Sequence, residues 1–190
     1  GREFGSAGHE IAQKLAEHYH IPLLDSNLLE EAALEKNMDA AHLLHLDEKH
    51  KKYGLYRTVR GLSSHPEDNV AFIQFDYLRK KAARGDSFVV VGRCSEDILK
   101  EYKSMISIFI LGDPECKKAR IKDLYNLSEF QATKLIKEEA TRRKRYHNSY
   151  CEGKWGDSRN YDLCINSSKL GEKETAEMLA DYIIKRQQLL

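Results

Sequence analysis

Three short runs constrain the fold of this chain most: SFVVVGR (87–93), MISIFILGD (105–113) and YDLCINSS (161–168). Their centres are apolar without alternation, the mark of strands covered on both faces, as in parallel sheets. Helical stretches follow them: SEDILKEY (95–102), PECKKARIKDLY (114–125) and EKETAEMLADYIIKRQQ (172–188). Pro114 suits a first helical turn. A further long helix is predicted within LSEFQATKLIKEEATRRKRYHNSY (127–150), where Ser128 and Gln131 form a capping box. Strands alternating with helices predict an α/β fold, a parallel sheet with helices on both faces.

The first half is less regular. Ile11, Leu15 and Tyr19, with Ala12 and Ala16 beside them, make one apolar stripe from Gly8 to His20. IPLLD (21–25) reads as a brief buried strand and SNLLEEAALEKN (26–37) as a helix with Ser26 as a cap. AAHLLHLDEKHKK (40–52) offers another helix, and YGLYRTVRGLSSHPEDN (53–69) a loop with short helical pieces. NVAFIQFDYLRKKAARG (69–85) is helical and ends at Gly85.

A chain of 190 residues suits one domain with room for a core. Its formal net charge of +1 lacks the basic excess of a general nucleic-acid or anionic-membrane binder, so neither partner is expected. Cys94, Cys116, Cys151 and Cys164 make no C-x-x-C pair and read as scattered reduced thiols. With no signal peptide and no apolar run of membrane length, the expected location is cytoplasmic. His42, His45 and His50 lack a matching Cys or His cluster and read as solvated surface rather than a metal site.

The chemistry-bearing stretch is the opening GREFGSAGHEIAQKLAEHYH. Gly5, Ser6, Ala7 and Gly8 are small enough for a phosphate to approach the backbone, and a helix N-terminus follows at once. Against the P-loop pattern G-x-x-x-x-G-K-[ST], Gly8 takes the second glycine. Glu3 stands at the first glycine, His9 at the lysine and Glu10 at the hydroxyl residue. Taken alone, the stretch fits a phosphate cradle and an ordinary helix-capping turn equally.

GREFGSAGHEI, VVVGRCSEDIL and RRKRYHNSYCEGKWGDSRNYDLCINSSKLG occur here in an order that resembles the cytidylate kinase-like family, within the P-loop nucleoside monophosphate kinases. The resemblance spans nearly the whole chain and is weakest between about Asp39 and Pro66. It implies a three-layer P-loop fold whose five-stranded parallel sheet has its central strand upstream of Gly1, with several apolar residues there. The implied organisation is one domain over 1–190, an acceptor-binding insert at 39–66 and a helical lid at 126–160. The implied activity is ATP- and Mg2+-dependent phosphoryl transfer to a nucleoside monophosphate, CMP-like, or to a similar small phosphate acceptor. The alternative is a nucleotide-binding regulatory module with little turnover.

By the same resemblance, Gly5, Ser6, Ala7, Gly8, His9 and Glu10 would cradle the donor phosphates. Arg93, at a strand end, would hold the acceptor phosphate with its guanidinium fork. Arg142 and Arg143 match the lid pattern, while Arg145 does not clearly do so, and Ala140 stands where the family usually has an aspartate. Arg120 would line the donor nucleotide, and Asn166, Ser167 and Ser168 the donor base. Asp25 would orient the acceptor. Each has a plainer reading: surface arginines, a solvated basic helix face, a strand-to-helix turn, and a cap for the helix after Asp25. For magnesium, Glu10 is the first candidate and Glu96 the second. Glu10 could equally only complement its helix N-terminus. Trp155 would pack the lid.

Overall fold

The computed structural model describes residues 1–36, 58–59, 62–63 and 66–189. The helices are α1 (Gly8–Tyr19), α2 (Leu28–Glu35), α3 (Pro66–Ala83), α4 (Ser95–Ile98), α5 (Pro114–Tyr125), α6 (Glu129–Tyr150) and α7 (Gly171–Gln187). The strands are β1 (Leu23–Leu24), β2 (Thr58–Val59), β3 (Leu62–Ser63), β4 (Val89–Val90), β5 (Ile108–Leu111) and β6 (Leu163–Asn166). The chain forms two compact units: Gly1–Leu23 with Ser87–Leu190, and Leu24–Asp86.

In the larger unit β5 and β6 run parallel, in register from Ile108 opposite Leu163 to Leu111 opposite Asn166. Arg2 bridges to Ile110 in the parallel sense. Around it, the Ile110 N–H donates to the Gly1 carbonyl and the Glu3 N–H to the Ile110 carbonyl, each at 3.0 Å. β4 lies beside β1, and the Val89 N–H donates to Pro22 at 2.9 Å. The described strands therefore make short ladders and not the single five-stranded sheet expected, because only two to four residues of each run meet a partner.

The core forms where α1 meets α7 over the sheet. Ile11 and Leu15 pack with Ala176, Leu179 and Ala180 and against Ile110, with Val89, Leu163 and Ile165 at the margin. Alanines on α7 let the two helices approach closely, and the Tyr19 hydroxyl donates to the Ala180 carbonyl at 2.9 Å. Only Phe109 and Ile110 are buried among the strand residues of β4, β5 and β6. Ile110 faces the α1–α7 core, while Phe109 meets the rings of Trp155 and Tyr161. The expectation of strands covered along their whole length thus holds at the centre of β5 alone. Trp155 also donates its backbone N–H to Asn148 of α6 at 2.9 Å.

In the smaller unit α2 and α3 pack through Leu29, Ala33, Val70 and Ile73, and the Tyr77 hydroxyl donates to Glu31 at 2.6 Å. The cap of α2 is Asn27, without a side-chain capping bond, and not Ser26, whose hydroxyl donates to Asp25 at 3.2 Å. Thr58–Val59 and Leu62–Ser63 pair antiparallel where a loop with helical pieces was expected. Thr58 and Val59 are β-branched, a side-chain type that favours a strand. α3 begins at Pro66, ahead of the expected Asn69, since proline fits the first turn. The histidines His42, His45 and His50, the helix expected at 40–52 and most of the 39–66 insert lie outside the described residues.

Candidate phosphate-binding site

The site begins in the turn between the Arg2 bridge and α1. Ser6 closes the turn, its N–H and hydroxyl both donating to the Glu3 carbonyl, at 3.4 and 2.9 Å. Ala7 then takes the left-handed conformation at φ 58° and starts α1 with no side-chain cap. The first N–H groups of a helix have no partner within it, so the turn delivers amide donors and the positive end of the helix dipole to one place. Gly8 is demanded by contact: a Cβ there would sit 2.5 Å from the Cβ of Arg2. Ser6, Ala7 and Gly8 are buried as a unit.

The carboxyl ends of β5 and β6 hold this turn. The Ser167 hydroxyl lies 2.7 Å from the Ser6 carbonyl and 3.0 Å from the Leu111 carbonyl. Asn166 donates to Asp113 at 2.7 Å and accepts from the Ser168 N–H at 3.0 Å. The Ser168 hydroxyl accepts from the Asp113 N–H at 2.9 Å, and Lys169 closes the group on Asp113 at 2.6 Å. Those side chains, expected at a donor base, serve here as the frame that ties two strand ends together and, through Ser167, to the loop.

Positive charge reaches the loop from several elements. Arg143 of α6 donates to the Arg2 carbonyl at 3.2 Å, and its guanidinium carbon lies 5.2 Å from the Phe4 ring centre. It is half-buried, and the loss of solvent holds its pKa below the usual arginine value against the pull of Glu139. Arg142 is exposed and pairs with Glu139 through two bonds of 3.0 and 2.7 Å. Lys144 and Arg145 are exposed. So of the basic stretch on α6, Arg143 is the residue in contact with the loop segment.

Arg93 follows β4 with φ 58°, and its guanidinium carbon lies 5.9 Å from the ring centre of Tyr146, almost one turn beyond Arg143 on α6. Gly92 beside it has φ 80°, and a Cβ there would meet the Arg2 guanidinium at 2.6 Å. Arg2, which sequence reasoning missed, thus links the loop, the Arg93 turn and α6. Lys117 of α5 was also missed. It is largely buried and bonds Glu3 at 2.7 Å, while Glu3 accepts from the Gly112 N–H at 3.1 Å. A lysine from α5 therefore stands at the edge of a loop whose own lysine position is His9. Neither signal lies in a local motif; only the quoted GREFGS run pointed at Arg2.

Arg120 of α5 pairs with Glu10 at 2.8 Å and with Glu172 at the start of α7. Burial raises the Glu10 pKa and the Arg120 bond lowers it, with a net lowering. Both carboxylates at the loop are thus engaged, Glu10 by Arg120 and Glu3 by Lys117. Glu96 is buried and its Oε1 is taken by His147 and Tyr161. Among the described residues no three His, Cys, Asp or Glu side chains are grouped as a metal would need. The two carboxylates expected at magnesium are therefore both paired within the protein, Glu10 with Arg120 and Glu96 with His147 and Tyr161. Asp25 belongs to the smaller unit, where its N–H donates to Asn27 at 3.0 Å.

The sequence pattern of the cytidylate kinase-like family matches residues 1–169. The chain belongs to the cytidylate kinase-like family. Among solved structures, this family member is similar to an uncharacterized protein from Eubacterium ventriosum ATCC 27560, with 40% identity and a TM-score of 0.76 over 96% of this chain and 94% of that one. Shikimate kinase from Bacteroides thetaiotaomicron matches at 10% identity and a TM-score of 0.54, over 96% and 94%. Shikimate kinase from Acinetobacter baumannii, in complex with shikimate, matches at 14% and 0.50, over 96% and 89%. These two share the fold of the cytidylate kinase-like chain. No curated protein matches it at a significant level. No helix among the described residues is long and apolar enough to cross a membrane.

Proposed function

We propose that this chain transfers a phosphoryl group from ATP to a nucleoside monophosphate, CMP-like, or to a similar small phosphate acceptor. One observation carries the reading: the uncapped start of α1 is tied by Ser167 to the ends of β5 and β6, while Arg143 reaches the same segment from α6. Phosphoryl transfer asks a protein for positioning and for charge around the moving group, and little else. The amides of Ala7, Gly8, His9 and Glu10 receive the donor phosphates. Arg143, with Arg142 beside it, neutralises the charge that spreads over the transferring group. Arg93 grips the acceptor phosphate with its planar fork. Magnesium arrives as the counter-ion of the nucleotide, with no protein ligand assigned to it.

A regulatory module that binds nucleotide without turnover is the second reading. It is favoured by Glu10, a carboxylate at the helix start whose charge opposes a phosphate unless Arg120 offsets it.

Coupled ADP release over a panel of nucleoside monophosphates, with shikimate added to the panel, separates the two. Turnover with one monophosphate that disappears in Arg93→Ala supports the kinase. ATP binding by calorimetry with no turnover on any acceptor supports the module. Absence of ATP binding removes both.

A further inference from the structure

One buried cluster of titratable side chains takes no part in the phosphate site. His147, on the last turn of α6, meets the Glu96 carboxylate at the start of α4 with Nε2 and Oε1 2.6 Å apart. The Tyr161 hydroxyl donates to the same Oε1 at 3.0 Å. All three residues are buried. This pairing fixes the end of α6 against the beginning of α4, and two cysteines far apart in sequence flank it. Cys94 lies two residues before Glu96. Cys151 lies one helical turn after His147, its backbone N–H donating to the His147 carbonyl at 2.9 Å. Both cysteines thus belong to one buried cluster, near enough for each thiol and the His147 ring to act on the protonation of the other. Cys94 is buried, 3% exposed, whereas Cys151 is only half-buried and can be reached from solvent.

We propose that Cys94 and Cys151 form a redox-active dithiol, with Cys151 the peroxide-reactive thiol and Cys94 the thiol that resolves it. The inference is independent of the phosphotransferase reading. Reactivity of a thiol belongs to its thiolate, favoured beside a cation and a hydrogen-bond donor. The Cys94 S–H bond is the largest influence on Cys151; burial opposes it, His147 adds to it, and the Cys151 pKa falls to about 6. The same contact, reinforced by burial, pushes the Cys94 thiol up and keeps its proton on. Burial would lower His147, but its bonds to Cys151 and Glu96 outweigh that and raise it to about 10, so the ring is an imidazolium near neutrality.

The chemistry balances with a hydroperoxide as oxidant. The Cys151 thiolate attacks one oxygen of hydrogen peroxide, the O–O bond breaks, and the departing hydroxide takes a proton and leaves as water. Cys151 is then a sulfenic acid. The Cys94 sulfur displaces its hydroxyl, which leaves with the Cys94 proton as a second water. Two thiols and one peroxide become a disulfide and two waters; the sulfurs lose two electrons and the peroxide gains them. The resulting bond would staple the C-terminal end of α6 to the turn that carries Arg93.

The test uses the reduced full-length chain and one equivalent of hydrogen peroxide, followed by digestion without reductant and mass spectrometry. The expected product is the cross-linked peptide pair containing Cys94 and Cys151. Cys94→Ser should instead accumulate a dimedone-trapped sulfenic acid at Cys151, and Cys151→Ser should give no cross-link. Exposed Cys116 is the internal reference for alkylation by iodoacetamide. At pH 6 a thiol of pKa about 6 is roughly 150-fold richer in thiolate than an ordinary one of about 8.5, and its weaker nucleophilicity takes back about 13-fold. Cys151 should therefore react about tenfold faster than a thiol of that ordinary pKa, and His147→Gln should shrink that advantage without abolishing it. A disulfide made chiefly through Cys116 or Cys164, or a Cys151 that alkylates more slowly than Cys116 at pH 6, overturns the proposal.

Discussion

Ser167→Ala should loosen the turn before α1 without touching its sequence. The Ser167 hydroxyl is the bond from β6 to the Ser6 carbonyl at 2.7 Å, and both residues are buried, at 5% and 2% exposed. The Leu111 carbonyl, the other oxygen in reach of that hydroxyl, keeps the Ser167 backbone N–H at 3.1 Å, so the loss falls on Ser6. A neutral hydrogen bond contributes about 1 kcal/mol, and a buried carbonyl deprived of its partner costs about 1–3 kcal/mol. The expected destabilisation is therefore about 2 kcal/mol, read by urea unfolding as a lowered midpoint with an unchanged slope. Ser167→Thr keeps the hydroxyl and should recover most of it. ATP affinity, measured by calorimetry on both variants, should fall with Ala and return with Thr. If Ser167→Ala unfolds within about 0.5 kcal/mol of the parent, the strand end does not hold the turn through this bond, and the reasoning fails.

Three further outcomes are expected. Replacing Arg120 with Gln removes the guanidinium that holds the Glu10 pKa down. The parent gains stability from a depressed Glu10 only above the unfolded value of about 4.3 and loses it as pH falls through the lower folded value, so its acid limb in urea titrations should be steeper than that of Arg120→Gln. Leu179→Ala empties a position 1% exposed at the α1–α7 contact and should cost about 2–5 kcal/mol by thermal or chemical unfolding. Ser128→Ala deletes the capping bond to the Gln131 N–H and should cost about 1 kcal/mol, visible as lost helicity by circular dichroism.

Local rules carried the parts of the fold that local forces decide. The stripe of Ile11, Leu15 and Tyr19 gave α1 almost to the residue, and the Ser128–Gln131 capping box is present as expected. Gly85 ends α3 at φ 80°, the backbone conformation that glycine supplies freely. The loop, Ser167 and Arg143 lie in one unit, with Ser167 bonded to the Ser6 carbonyl and Arg143 to the Arg2 carbonyl. What the chain order hides is which distant side chains meet. Lys117 at Glu3, Arg143 at Arg2 and Cys94 at Cys151 are joined by sheet pairing and helix packing, which no local period encodes. The hairpin of Thr58 and Val59 was obscured by serines, glycines and a proline nearby, whose turn signals outweighed two β-branched residues in the reading. The pairing of Glu10 with Arg120 was hidden in the same way.

α6 runs unbroken for 22 residues, from its capping box to Cys151, with no proline or glycine within it. Such a helix is a rod of about 33 Å, and Arg143 stands roughly 22 Å from its capped end. Rotation by about 10° at that end would carry Arg143 some 4 Å sideways, well past hydrogen-bond reach of the Arg2 carbonyl. The buried His147–Glu96 contact farther along the same rod opposes such a swing, so the guanidinium contact is kept or lost together with that pair, with no residue inside the helix having to bend.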